Sequence, residues 1–185
     1  MDTIDLLLHP VRLRIVHAMS DGKTHTTGQL CARVPGVSKA TMYRHVDRLA
    51  EGGLLEVEGE QRVRGAVERR YRLGPVPAVV GAEAAAAMSA GDHRKGFAAA
   101  MATLIAEFDT YLDRADARPV ADAVSYRQAT VWLDDDELAD VVGQLKAAIV
   151  PRMQNGPAPG RRSVLVSTIL FPAGTEEAPE GPDEE

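Results

Sequence analysis

Residues Val37 to Leu55 read VSKATMYRHVDRLAEGGLL, a segment with a helix start, an apolar face and a helix end. Ser38 supplies an oxygen that can accept a free backbone N–H at a helix start, and Gly52 with Gly53 can close the helix in a left-handed turn. Between them Met42, Val46 and Leu49 recur at helical spacing, so one stripe faces a core. Opposite lie Ala40, Tyr43, Arg44 and Arg48, with Lys39 and Thr41 on the flanks. The carboxylates Asp47 and Glu51 fall only in the second half, which leaves the first two turns free of acid. Such an end suits the major groove of double-stranded DNA, where Arg bonds guanine and Tyr or Thr meets phosphate, base edge or thymine methyl. His45 lies at the edge of the core stripe and reads as a packing residue.

The flanking sequence supports this reading. Pro10 lacks an N–H and suits the first position of a helix over about Pro10 to Ser20, preceded by a shorter turn through Ile4 to Leu8. Val11, Ile15, Ala18 and Met19 form its inward stripe. Asp21 and Gly22 break the chain, Thr26 offers a cap for a short helix through Leu30, Cys31 and Val34, and Pro35 with Gly36 supplies a turn. After the longer helix, Leu54 to Glu58 and Val67 to Leu73 read as strands. Gln61 to Gly65 reads as their hairpin tip, with Arg62 and Arg64 placed to touch phosphates without reading sequence.

Leu8-His9-Pro10-Val11-Arg12-Leu13-Arg14-Ile15-Val16 resembles the opening of ArsR-type winged-helix repressors, as do the TMYRHVDRLAEGGLL and ERRYRL runs. The resemblance covers residues 4 to 73 and implies a winged helix-turn-helix that binds DNA, with dimer contacts from a helix after the wing. Its DNA-reading pattern falls on Ser38, Lys39, Thr41, Tyr43 and Arg44, although Ala40 stands where a polar residue often sits. Many such proteins sense metals through a cysteine pair or through His and Asp ligands. Here Cys31 stands alone as a small apolar residue, and the metal-sensing pattern does not carry over.

A formal net charge of −6 argues against nucleic-acid binding until it is located. Residues 1–74 hold 12 Lys and Arg against 9 Asp and Glu, a balance of +3, which leaves −9 on residues 75–185. The final ten residues, EEAPEGPDEE, hold six acids and no base. The first part is therefore mildly basic, and residues 174–185 read as a solvated, disordered acidic tail that could also compete with DNA for the basic face. A content of 45% apolar residues suffices for a core, and aromatics are scarce at 4%. With one cysteine no internal disulfide can form. Lack of a long apolar run or leader-like start predicts a cytoplasmic protein with no membrane partner.

The second half divides into a helical dimerisation segment over residues 75–118 and a small α+β module over 119–173. Val79 to Ala90 reads as an alanine-rich helix broken by Gly91-Asp92. A longer helix from about Asp92 to Ala115 carries Phe97, Met101, Leu104, Ile105, Phe108 and Leu112, a core or dimer face that could also line an effector pocket. Val124 to Leu133 and Ser163 to Phe171 read as strands flanking a helix through Leu138, Val141, Val142, Leu145 and Ile149. The acids Asp134 to Glu137 read as a helix start rather than a catalytic cluster.

The expected fold is mainly α with a small β part: a winged helix-turn-helix over 1–74, then the helical segment and the module. No phosphate loop, nucleophile elbow or paired metal spacing is present, so neither enzyme, cofactor nor metal site is expected. The expected function is a homodimeric transcriptional regulator, in the resemblance a repressor, on a palindromic DNA site, with a small-molecule effector as a further partner. The competing class is a winged helix that docks a protein and touches no nucleic acid; an enzyme assembled from distant residues ranks third.

Overall fold

The computed structural model describes residues 3–63, 66–75 and 80–174. Its elements run α1 (Thr3–Leu7), α2 (Pro10–Met19), β1 (His25–Thr26), α3 (Thr27–Arg33), α4 (Lys39–Glu51), β2 (Leu55–Val63), β3 (Ala66–Leu73), α5 (Ala82–Ala86), α6 (Ala90–Leu112) and α7 (Asp135–Ile149), with a 3-10 turn over Val150–Gln154. The chain divides into two compact units, Met1–Ala123 and Val124–Glu185.

In the first unit the helix starts follow the local chemistry. His9 caps α2 by accepting from the Val11 N–H at Nδ1 over 3.2 Å, ahead of Pro10. Thr26 and Gln29 form a reciprocal box at α3: the Gln29 N–H donates to Thr26 Oγ1, and the Thr26 N–H to Gln29 Oε1. Gly36 and Gly53 take φ of +82° and +74°, supplying the left-handed residues of the turns on either side of α4. Gly52 is needed for space instead, since a Cβ there would lie 2.1 Å from Leu6 Cδ1.

The core gathers Leu6, Ile15, Met19, Leu30, Met42, Val46, Leu49 and Leu54 from α1 to β2. On α2, Val11 and Ala18 are only partly buried, whereas Arg12 and Arg14 are buried, an arrangement that the apolar pattern does not announce. Arg14 finds partners elsewhere in the chain: Nε donates to Glu107 Oε1 on α6 at 2.9 Å, and Nη1 to the Pro35 carbonyl at 3.1 Å. It thereby ties α2 to α6 and to the turn before α4.

The sheet has order β1-β3-β2, antiparallel throughout. β1 pairs His25 with Tyr71 and Thr26 with Arg70. The β2–β3 hairpin is longer than read: the strands continue to Val63 and resume at Ala66, which puts Arg62 in strand β2 rather than in a loop, opposite Val67. Arg64 lies outside the described residues.

α5 is a short helix rather than one running to Ala90. The break falls at 87–89, and Gly91-Asp92 belongs to the next helix, where Asp92 completes a capping box with Ser89. The inward face of α6 is also not the one its large apolar residues mark. Ala99 and Thr103 are buried, while Phe97, Ile105 and Leu112 are exposed by 49%, 63% and 45%. Close approach is the reason: a Cβ on Gly96 would stand 2.9 Å from Leu8 Cδ2, and Thr103 Oγ1 lies 3.3 Å from the Pro10 carbonyl.

In the second unit α7 begins as the acid run suggests, with Asp134 capping the Glu137 N–H and Glu137 returning the bond. The strands expected at 124–133 and 163–171 do not form among the described residues; both segments lie outside any helix or sheet. Strand composition is present, but a ladder also needs a partner backbone. No described helix is long and apolar enough to cross a membrane. The acidic tail from residue 175 onward lies outside the described residues.

Candidate nucleic-acid interface

The α3–turn–α4 arrangement with its hairpin is a winged helix-turn-helix. Buried Met42, His45, Val46 and Leu49 lock α4 onto the core and leave Lys39, Ala40, Tyr43, Arg44, Asp47, Arg48 and Glu51 exposed. Ser38 is engaged in capping, since its Oγ accepts from the Thr41 N–H at 3.3 Å and donates to Thr41 Oγ1 at 2.9 Å. Thr41 is half-buried, so its hydroxyl is turned toward the cap more than outward.

The exposed face of α4 has two sides of different character. Tyr43, 49% exposed, and Asp47 stand on the side toward the wing. There they form one wall of an open groove of about 330 Å³ whose other wall carries Glu60, Glu68 and Arg69. Arg69 is held by Glu60 at 2.9 Å, so the wing wall of the groove, which also carries Glu68, is net acidic and unfavourable to phosphate. Burial, and after it the Asp47 carboxylate, raises the Tyr71 phenol pKa on the groove's inner side.

Arg44 and Arg48 stand on the opposite side, toward the start of α2, where they contribute to lowering the pKa of both His9 and His45. The His9 and His45 rings lie against each other beneath them. Burial is the larger cause in both cases, and for His45 it combines with His9, Arg12, Arg44 and Arg48 to depress the pKa to about 4. His45 is thus neutral and inside, as its place at the edge of the core stripe suggests.

On the wing, Arg72 is bridged to Glu56 at 2.8 Å and Arg70 reaches Thr24 Oγ1 at 3.3 Å. Arg62 is exposed in strand β2 near the hairpin end. Lys39, Tyr43, Arg44 and Arg48 are thus exposed on α4, Ser38 and Thr41 bonded to each other at its start, and Arg62 apart on the wing. The wing carboxylates that oppose α4, Glu60 and Glu68, were not anticipated from the sequence, where the alternating Glu56, Glu58 and Glu60 were the available signal. Among the described residues no three His, Cys, Asp or Glu side chains gather as a metal site.

Residues 7–58, from the end of α1 into β2, match a helix-turn-helix domain. No curated protein matches the chain. The chain therefore carries a helix-turn-helix domain with an attached wing, the equipment of a DNA-binding regulator.

Proposed function

We propose that the protein is an ArsR-like transcriptional repressor that acts as a homodimer on a roughly palindromic operator. One α4 enters the major groove at each half-site, the two spaced by about 34 Å along the duplex. The observation that carries this reading is the exposed, acid-free start of α4, with Lys39, Tyr43 and Arg44 presented outward from a helix anchored in the core. Arg44 reads a base, Tyr43 and Thr41 make mixed base and phosphate contacts, and Lys39, Arg48, Arg62 and Arg64 bind phosphate. Ser38 places the first turn and meets the backbone at its edge. The acidic groove beside Asp47 keeps phosphates off the middle of the wing and concentrates contact on the start of α4 and the hairpin end.

The large apolar residues that α6 leaves exposed, Phe97, Ile105 and Leu112, suit a second copy packed along that helix, and an effector bound there would act on the spacing of the two α4 helices. In this reading the protein is not an enzyme, takes no metal or cofactor and works in the cytoplasm. Selection of binding sites from random duplex tests it. A two-fold site should emerge, and Arg44→Ala should relax preference at one position of each half-site while costing about 1–3 kcal/mol. A selection that enriches no site, or an Arg44→Ala profile identical to the parent, overturns the reading.

A further inference from the structure

Among the described residues of the second unit no side chain is buried. That is at odds with its composition. Val131, Trp132, Val164 and Val166 are exposed by 64%, 69%, 63% and 59%, and Leu165 and Leu170 by 48% and 50%. Part of the α7 stripe, Val142, Leu145 and Ile149, faces Thr168 and Leu170 of the same copy, whereas Val131, Trp132, Val164 and Val166 keep more than half of their surface exposed. Large apolar side chains exposed in this number mark an interaction site. Segments of strand-forming composition without a ladder also offer backbone groups that pair readily with another strand.

Charge identifies the occupant. From 124 to 140 five acids, Asp134, Asp135, Asp136, Glu137 and Asp140, outweigh the single base Arg127; from 141 to 174 every charged residue is a base, Lys146, Arg152, Arg161 and Arg162. The 15 residues of α7 separate its acidic start from its basic end by about 22 Å. A unit with acid at one end and base at the other is complementary to itself when a two-fold axis reverses the second copy, and a two-fold pairing of identical strands is antiparallel.

We propose that residues 124–174 form a self-association surface of their own, in which the extended segments of two copies pair antiparallel and cover each other's Trp132. This rests on the homodimer reading above and adds an interface separate from α6. Together the segments approach the roughly 20–30 residues a side that a stable interface uses.

Trp132 is the single tryptophan, so its emission reports this surface in the full-length chain. In concentrated protein the emission should be blue-shifted and shielded from iodide, and on dilution it should turn red in step with the fall to monomer mass in analytical ultracentrifugation. Leu165→Asp should raise the dissociation constant about tenfold or more. Should that variant not fold, Asp136→Arg should weaken association about tenfold and adding Arg161→Asp to the same chain should restore it. A dimer mass with Trp132 red and open to iodide at every concentration overturns this proposal and leaves the homodimer standing on α6. A shielded Trp132 in the monomer overturns it in favour of cover by the same chain. A monomer at all concentrations with Trp132 exposed overturns both. An association untouched by Leu165→Asp, or by Asp136→Arg, also overturns it.

Discussion

The imidazole rings of His9 and His45 stand 4.4 Å apart, centre to centre, on the core side of α4. His45 is 3% exposed, and its Nδ1 has no hydrogen-bond partner among the described residues. Arg12, Arg44 and Arg48 face the same pair. A proton on either ring would place a further positive charge beside three guanidinium groups, and on His45 it would also be out of water.

Stability should therefore fall as the medium is acidified. Unfolded, His45 titrates near 6.5; folded, it titrates at about 4. Between those values the unfolded chain holds more protons, so stability is full above the upper one and is lost progressively toward the lower, on the order of 3 kcal/mol in total. Urea denaturation at neutral pH and at about pH 5 measures the slope. His45→Leu should flatten it; a slope unchanged by the substitution would show that His45 is not its source.

Arg14 and Glu107 carry a second prediction. The Arg14 side chain is 8% exposed and that of Glu107 28%, so Glu107→Ala leaves a buried guanidinium with only the Pro35 carbonyl. The cost should be about 1–3 kcal/mol, while replacing both residues by Leu or Met should cost less than the two single changes together. A double-mutant cycle by chemical denaturation gives the coupling. Additive effects would mean that the 2.9 Å contact contributes nothing to stability.

Two glycines make a contrast. A Cβ at Gly74 would stand 2.1 Å from the Gly53 carbonyl oxygen, just where the Gly74 N–H bonds the Leu54 carbonyl at 2.9 Å. Gly143, inside α7, has nothing within 4 Å of its Cβ position. Gly74→Ala should lower stability by about 2 kcal/mol or more because backbone must move, and Gly143→Ala should raise it by about 0.5–1 kcal/mol through helix propensity. Thermal melts of the two variants compare them directly, and equal shifts in Tm would refute the assignment.

On the wing, Arg62→Ala should weaken duplex binding about equally across sequences and reduce the salt slope by about 1. Arg69→Ala and Arg72→Ala should change that slope less, because Glu60 and Glu56 already hold those guanidinium groups at 2.9 and 2.8 Å. Fluorescence anisotropy with a random duplex over a salt series distinguishes them. Equal slopes for all three variants would remove Arg62 from the interface.

The parts of the fold that depend on near neighbours were legible in the residues. Ser38, Thr26, Pro10 and Asp134 each start a helix, and Met42, Val46 and Leu49 face inward as their spacing says. What could not be read depends on distant partners. The two-residue strand β1 exists because Tyr71 and Arg70 arrive beside it. Arg12 and Arg14 are buried because groups elsewhere in the chain surround them. On α6 the small residues go inward because α2 comes close, which reverses the face that hydrophobicity alone selects. The α4 surface was legible as a set of residues, but its division into an arginine side and an acidic groove came only with the hairpin folded beside it.

Titration of salt against affinity for duplex decides whether α4 binds DNA. Binding to random duplex should be measurable at low salt, log affinity should fall steeply and linearly with log salt, and one two-fold site should bind more tightly and be weakened by Arg44→Ala. No duplex affinity at low salt would contradict DNA binding by α4 and leave the winged helix as a docking module for a protein partner.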